Sequence, residues 1–290
     1  MAIRQYGWPG RVCLLGLLFF VLPCAQAAER QPLNMGVFPY LSTQALLDLY
    51  QPVRLYLAQA MGRPVNLFTA QSFKAYADQT RQGVYDILVT PPHFARLAQR
   101  ETGYVPLVVY TRKLRGIIVV ARNSVIHSVQ DLKDKRIATP NCLALVTIMG
   151  RQLLHDNGLI PDTGVTILTV ASHNNAVLAV QRGDAEAAIT ENSALAQMPA
   201  ELRNSVRVIA QTAPMPHVMY LVHPRLGREQ IERLKAALLK FPETLAGRTF
   251  LKDSGFEGIR PINEVDLKSM DPYIKELKRL LQSSQRPCAR

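Results

Sequence analysis

Cysteine is scarce. The chain of 290 residues holds four, Cys13, Cys24, Cys142 and Cys288. So few exclude a disulfide framework. No Cys-x-x-Cys pair and no His-Glu-x-x-His segment occurs, and a structural zinc site of the usual kind is not expected. Acidic residues are also sparse: 22 stand against 34 Lys and Arg, for a net charge of +12 and a pI near 9.8. That balance permits anionic partners without naming one. The basic residues are dispersed over predicted helix faces, with no basic run and no aromatic-rich strand motif, so nucleic-acid binding is not indicated. No internal repeat is present, which excludes a solenoid or propeller. Past residue 27 no stretch reaches the ~18 uncharged apolar residues of a membrane span, and the remainder is expected to be soluble. What is present, 48% hydrophobic and 19% charged residues, is the balance of a globular protein. The length supports one large or two medium domains.

Residues 1–27 read as an address. Arg4 and Arg11 form a positive start, Val12 to Leu22 is an unbroken apolar run, and Ala25-Gln26-Ala27 offers the small residues of a cleavage site. This is the pattern of a secretory signal peptide cut after Ala27. The run is too short for a membrane anchor across a bilayer core of roughly 30 Å. A lipoprotein site at Cys24 is the alternative, disfavoured by Pro23 where a small residue belongs. Cleavage leaves 32 basic against 22 acidic residues, a charge of +10, with Cys142 and Cys288 the remaining cysteines. One disulfide is then possible in an oxidising compartment.

From there short β-branched runs alternate with amphipathic segments. Strands are expected at Leu33–Phe38, Val65–Phe68, Asp86–Val89, Val105–Tyr110 and Gly116–Ala121. A helix is expected over Thr43–Met61, ended by Gly62, with Pro52 kinking it or starting a second one. Another is expected near Ser72–Arg81. The second stretch repeats the style, with strands at Lys135–Ala138, Val165–Val170, Ala185–Thr190, Val206–Ala210 and Met219–Val222. Helices are expected at Leu143–Asn157 and after the N-cap Ser172, with Gly183 as the stop. The tail is helical, with stripes through Ile231, Leu234 and Leu238 and through Ile274, Leu277, Leu280 and Leu281. The alternation predicts an α/β fold of two lobes with mostly parallel sheets, because parallel neighbours need a crossover. Such sheets bind ligands beyond the carboxyl ends of their strands, which directs attention to the loops there.

Those loops carry a set of segments in order. They are Phe38-Pro39-Tyr40, Asp86 to Phe94 (DILVTPPHF), Asn123-Ser124 with Ser128 to Arg136 (SVQDLKDKR), Ser172-His173-Asn174-Asn175-Ala176, and Arg182-Gly183-Asp184-Ala185. Together, over about residues 33–280, they resemble the phosphate/phosphite/phosphonate-binding (PhnD-like) family of periplasmic solute-binding proteins of ABC transporters. The resemblance implies a type II clamshell with mixed, mostly parallel sheets. Lobe one would hold residues 28–115 and 220–290, and lobe two the inserted residues 116–219. A small anion would sit between them on helix N-termini, and a membrane permease would meet the closed form. It implies no catalysis and no cofactor, and a monomer is expected.

The resemblance also implies candidate ligand contacts. Tyr40 matches a cleft tyrosine; the plainer reading is a turn tyrosine packed on Pro39. Thr90 to Phe94 matches a "glycine-proline-x-x-tyrosine" loop, with Thr90 for the glycine and Phe94 for the tyrosine. His93 is a candidate donor in place of the lost hydroxyl, or else a helix-start residue open to water. Where phosphonate binders carry a Ser-Thr-Ser run, this chain reads Thr139 to Thr147 (TPNCLALVT), leaving Thr139, Asn141 and Thr147 as the polar groups. The anion is then held mostly by backbone amides, which need no side chains, or the ligand is less charged and more apolar. His173 matches the histidine of a His-Asp pair, with Asn174 for the acid. Glu191 matches an acidic position that meets an amine in aminophosphonate binders. Its charge favours a zwitterion, a protonated oxyanion or a bond to a protein donor. His217 follows Pro214-Met215-Pro216, where the family's aspartate is missing. Three other readings remain open: a sensory subunit handing its closed form to a histidine kinase, a metal or metalloid site on His93, His173 and His217 with Glu191 or Cys142, and an enzyme using Cys142 as nucleophile.

Overall fold

The computed structural model describes residues 31–282, together with Met1, Ala2 and Gly7. The apolar run expected to be a signal peptide, the expected cleavage site and Cys288 lie outside the described residues. The chain begins with β1 (Leu33–Val37), α1 (Thr43–Met61), β2 (Val65–Thr69), α2 (Phe73–Arg81), β3 (Ile87–Thr90), α3 (Pro92–Thr102) and β4 (Val105–Tyr110). It continues with β5 (Gly116–Ala121), β6 (Arg136–Thr139), α4 (Leu145–Asp156), β7 (Thr166–Thr169), α5 (His173–Arg182), β8 (Ala187–Glu191), α6 (Asn192–Gln197), α7 (Ala200–Asn204) and β9 (Val206–Gln211). It ends with β10 (Met219–Val222), α8 (Gly227–Lys240), α9 (Leu245–Ser254), β11 (Ile259–Pro261), α10 (Glu264–Lys268) and α11 (Asp271–Gln282). No helix among the described residues is long and apolar enough to cross a membrane.

Local chemistry explains α1. The Ser42 side chain accepts from the Ala45 amide at the start, and Leu46, Tyr50, Val53, Leu57 and Met61 turn inward at helical spacing. Gly62 closes it at φ 61°, a left-handed conformation that suits glycine. Pro52 does not begin a second helix. Buried Tyr50 and Val53 on either side hold the turns together, and packing outweighs the lost amide. At Gly36 a side chain has no room: a Cβ there would stand 2.6 Å from the Tyr85 ring.

Two sheets result. The first has the order β11-β4-β10-β3-β1-β2, the second β7-β6-β8-β5-β9. β1 pairs parallel with β2 and β3, and β6 with β7 and β8. β10 enters the first sheet antiparallel between β3 and β4, and β5 enters the second antiparallel between β8 and β9. Both are the strands that arrive from the other half of the molecule, so no local helix turns them round. The remaining strands of each sheet share one direction, except β11 at the edge. The sheets are therefore mixed, with most strands parallel in sense.

The period-two alternation in β5 sorts its side chains onto two faces. Ile118 and Val120 join Leu145 and Met149 of α4, while Ile117 and Val119 join Ala176, Val177 and Val180 of α5. A separate core around Met35, Val89, Tyr220 and Leu277 fills the first half. The last helix touches both halves: Met270 and Tyr273 at its start pack on the second sheet, Ile274 and Leu277 on the first.

Candidate functional site

Loops from both sheets enclose a cavity of about 670 Å³. The first half contributes Phe38 and Tyr40 after β1, Pro91 and Pro92 after β3, and His217 just before β10. The second contributes Ala144 to Val146 after β6, Ser172 to Asn174 after β7, and Glu191 at the end of β8. These are the carboxyl ends of the parallel strands and the entry of a reversed one, so one edge of each sheet faces the gap.

Six helices start on its lining, α2 and α6 among them, capped by the side chains of Ser72 and Glu191. α1 and α5 are capped by Ser42 and Ser172, and α3 and α4 have no side-chain cap. At α4 the Thr147 amide already bonds the Ala144 carbonyl. The Leu145 and Val146 amides, on the cavity wall, precede the first helical acceptor. At α5 the Asn175 amide goes to Ser172 Oγ, leaving those of His173 and Asn174. Each helix start adds roughly half a positive charge. None of the described lining residues is Lys or Arg.

His173, Glu191 and His217 come together in this cavity. The Val218 amide donates to His217 Nδ1 at 2.9 Å. A backbone amide only donates, so the ring proton sits on Nε2. That Nε2 is buried, has no partner among the described residues, and stands 3.9 Å from Glu191 Oε1. His173 Nδ1 meets Thr190 Oγ1 at 3.0 Å. Burial holds both histidines below the ordinary imidazole pKa, and Glu191 pulls each back up. Glu191 has protein donors of its own: Oε1 accepts from the Ser193 amide at 3.0 Å and from the Ser193 hydroxyl, and Oε2 from the Ala194 amide at 3.2 Å. Tyr40 stacks on Phe38 with ring centres 4.5 Å apart, and its hydroxyl bonds that of Tyr50 at 3.3 Å. Burial raises its pKa, so it remains a neutral phenol. Tyr40, His173, Asn174, Glu191 and His217 thus line one space.

The other six candidates lie off the described lining. Thr90 and Phe94 are buried beside Tyr76, with Phe94 in a ring cluster with Phe73. His93 is fully buried rather than open to water, because its Nε2–H reaches across to the Leu143 carbonyl at 2.9 Å. Burial lowers its pKa to about 4. Thr139 is buried. Asn141 Oδ1 accepts from the Leu143 amide at 2.9 Å, and Thr147 Oγ1 donates to the Pro140 carbonyl at 3.3 Å. The polar groups of this loop shape the backbone, while the adjoining residues Ala144 to Val146 line the gap. Cys142 is disulfide-bonded, which removes the thiol that a nucleophile requires. Among the described residues no group of three His, Cys, Asp or Glu is placed to hold a metal.

Sequence reasoning did not find Phe73, Phe256, Ser193, Gln197 or Ser254, all on the lining. Phe256 meets His217 at 4.9 Å between ring centres. Ser193 had a readable signal, since it lies two residues after a carboxylate at a helix start. The others reach the cavity only through long-range packing.

A family model described as "ABC transporter, phosphonate, periplasmic substrate-binding protein" matches residues 35–267. Among solved structures, PhnD1 from Prochlorococcus marinus in complex with methylphosphonate superposes with a TM-score of 0.76 at 13% identity, covering 85% of this chain and 98% of that one. A Xanthomonas citri protein bound to chloride ion gives 0.75 at 20% identity over 85% and 98%. A binding protein component of an ABC phosphonate transporter from Pseudomonas aeruginosa gives 0.74 at 16% identity over 88% and 90%. At these identities the superpositions establish a common fold.

Proposed function

The chain belongs to the periplasmic substrate-binding proteins of ABC phosphonate transporters, and from that premise we propose that it captures a small phosphonate-, phosphite- or phosphate-like anion in the cavity described above and presents it to a membrane permease. The family is one of binding proteins, and neither the sensory nor the enzymatic reading gains support from the comparisons. Lobe one, residues 28–115 and 220–290, would close on lobe two, residues 116–219. The two sheets divide close to those ranges, with β10 beginning one residue early at Met219, which supports the reading. Cleavage after Ala27 would release the protein into the periplasm, and a monomer would suffice for the task.

The observation that carries the proposal is the convergence of helix starts on one cavity. The amides of Leu145, Val146, His173 and Asn174 need no charged side chain to receive an oxyanion. His217 Nε2–H adds a neutral donor. The walls beyond are apolar, through Phe38, Phe73 and Phe256. A room of about 670 Å³ exceeds the need of bare phosphate and accommodates an organic substituent. The test is a melting screen of the processed protein with methylphosphonate, larger alkylphosphonates, phosphite, phosphate and sulfonates. A true ligand at 100 times its Kd stabilises by about 2.7 kcal/mol. A panel in which no anion moves the melting temperature removes the proposal.

A further inference from the structure

The proposed function leaves a charge to be balanced, and the present inference rests on that function. An anion would enter beside Glu191 with no Lys or Arg on the described lining. Helix starts supply only partial charges. A histidine can supply a whole one, and buried His93, half-buried His173 and buried His217 differ in whether they can accept the proton.

His217 cannot do so without losing a bond. Its Nδ1 already receives the Val218 amide at 2.9 Å, and a proton on that nitrogen would set donor against donor. His93 gives its Nε2–H to the Leu143 carbonyl, and its Nδ1 is buried without a partner among the described residues. A proton there would be an unpaired charge away from water. His173 is different. Its Nδ1 faces a hydroxyl, Thr190 Oγ1, at 3.0 Å. A hydroxyl both donates and accepts, so the contact survives in either protonation state. His173 also lines the cavity at the start of α5.

We infer that His173 takes up a proton as the anion binds, so that the site captures anion and proton together, while His217 serves as a fixed neutral Nε2–H donor. The charged group acting on His173 is Glu191 at the end of β8. The same carboxylate acts on His217, which also feels Arg112 and Glu257. Burial keeps His173 neutral in the empty site, and a second negative charge beside it adds to the pull of Glu191. Proton uptake makes the affinity fall as pH rises between the free and bound pKa values, by up to about tenfold per pH unit for one proton.

Calorimetric titration of the processed protein with methylphosphonate, in two phosphate-free buffers of different ionisation enthalpy between pH 6 and 8.5, counts the protons. The second ionisation of methylphosphonate, titrated alone, is subtracted. The wild type is expected to take up as much as one proton beyond it. His173→Asn should lose that uptake and flatten the pH dependence. His217→Gln should bind more weakly, about tenfold or more, and keep the uptake. A wild-type count equal to the ligand's own ionisation overturns the inference without recourse to any variant. Uptake that persists in His173→Asn and vanishes in His217→Gln overturns it by assigning the proton to the other ring. If methylphosphonate, phosphite and phosphate all fail to bind the wild type, the proposed function falls and takes the inference with it. Binding with no extra proton leaves that function standing alone.

Discussion

The two sheets meet one cavity with unlike surfaces. The first half presents rings: Phe38 stacked on Tyr40, then Phe73 and Phe256. The second half presents the uncapped α4 start, the His173 and Asn174 amides, and Glu191. The first wall is largely aromatic, and its stability comes from packing. The second is built from polar groups whose partners decide what they can do. Glu191 shows this most clearly. A carboxylate facing an anion site would repel, yet its oxygens are engaged by Ser193 and Ala194 at the start of α6. It therefore acts as a helix cap and as a field on two histidines.

If the aromatic wall is held by packing, breaking it should give the largest loss. Phe256 is 8% exposed and touches Tyr110, with ring centres 4.4 Å apart, as well as His217. Phe256→Ala should cost about 3–5 kcal/mol, read as a lower urea midpoint. A change below 1 kcal/mol would mean that the wall is not packed as described.

The seam between the halves offers the next test. His93 is neutral in the folded protein, with a pKa lowered from 6.5 to about 4. The unfolded chain binds its proton at higher pH than the folded one. This contribution is therefore complete above pH 6.5 and is lost as pH falls toward 4, by roughly 3 kcal/mol at 1.36 kcal/mol per pH unit. Urea unfolding at pH 7 and pH 4.5 should show the drop, and His93→Phe should flatten much of it. An equal drop in the variant would assign the acid sensitivity elsewhere.

The smallest effect belongs to the edge away from the cavity. Glu186 lies before β8, opposite Glu191 at the strand's other end, and pairs with Arg136 at 2.8 Å, the two side chains 34% and 46% exposed. Arg136 draws its pKa down to about 2, so its contribution is present above pH 4.5 and fades as pH falls through 2. Solvent screening keeps it small: Glu186→Gln should cost less than about 1 kcal/mol and leave ligand affinity unchanged. A change in affinity would show that the cavity feels both ends of the strand.

Much of the framework was legible because it is local. Ser172 caps the helix expected of it, and Gly62 and Gly183 end theirs. β4, β5 and β10 begin and end where β-branched runs do. Pro52 starts no second helix because its local cost is outweighed by the burial of Tyr50 and Val53. The site was legible in part. His173 stands at a cap and Tyr40 after a strand, positions that a loop rule can find. His93 has the same appearance in sequence, but its ring turns across the seam to Leu143 instead of into the cavity.

The sequence by itself determined the alternation of elements, their caps and the faces they bury, since these depend on residues a few positions apart. The tertiary structure decided which sheet each strand enters, and with that the site. Inserting β10 between β3 and β4 sets His217 near Glu191, and the turn after α9 brings Phe256 onto the same ring. Even the chemistry of the histidines was settled there, because a ring's freedom to take a proton depends on whether an amide, a carbonyl or a hydroxyl lies against it.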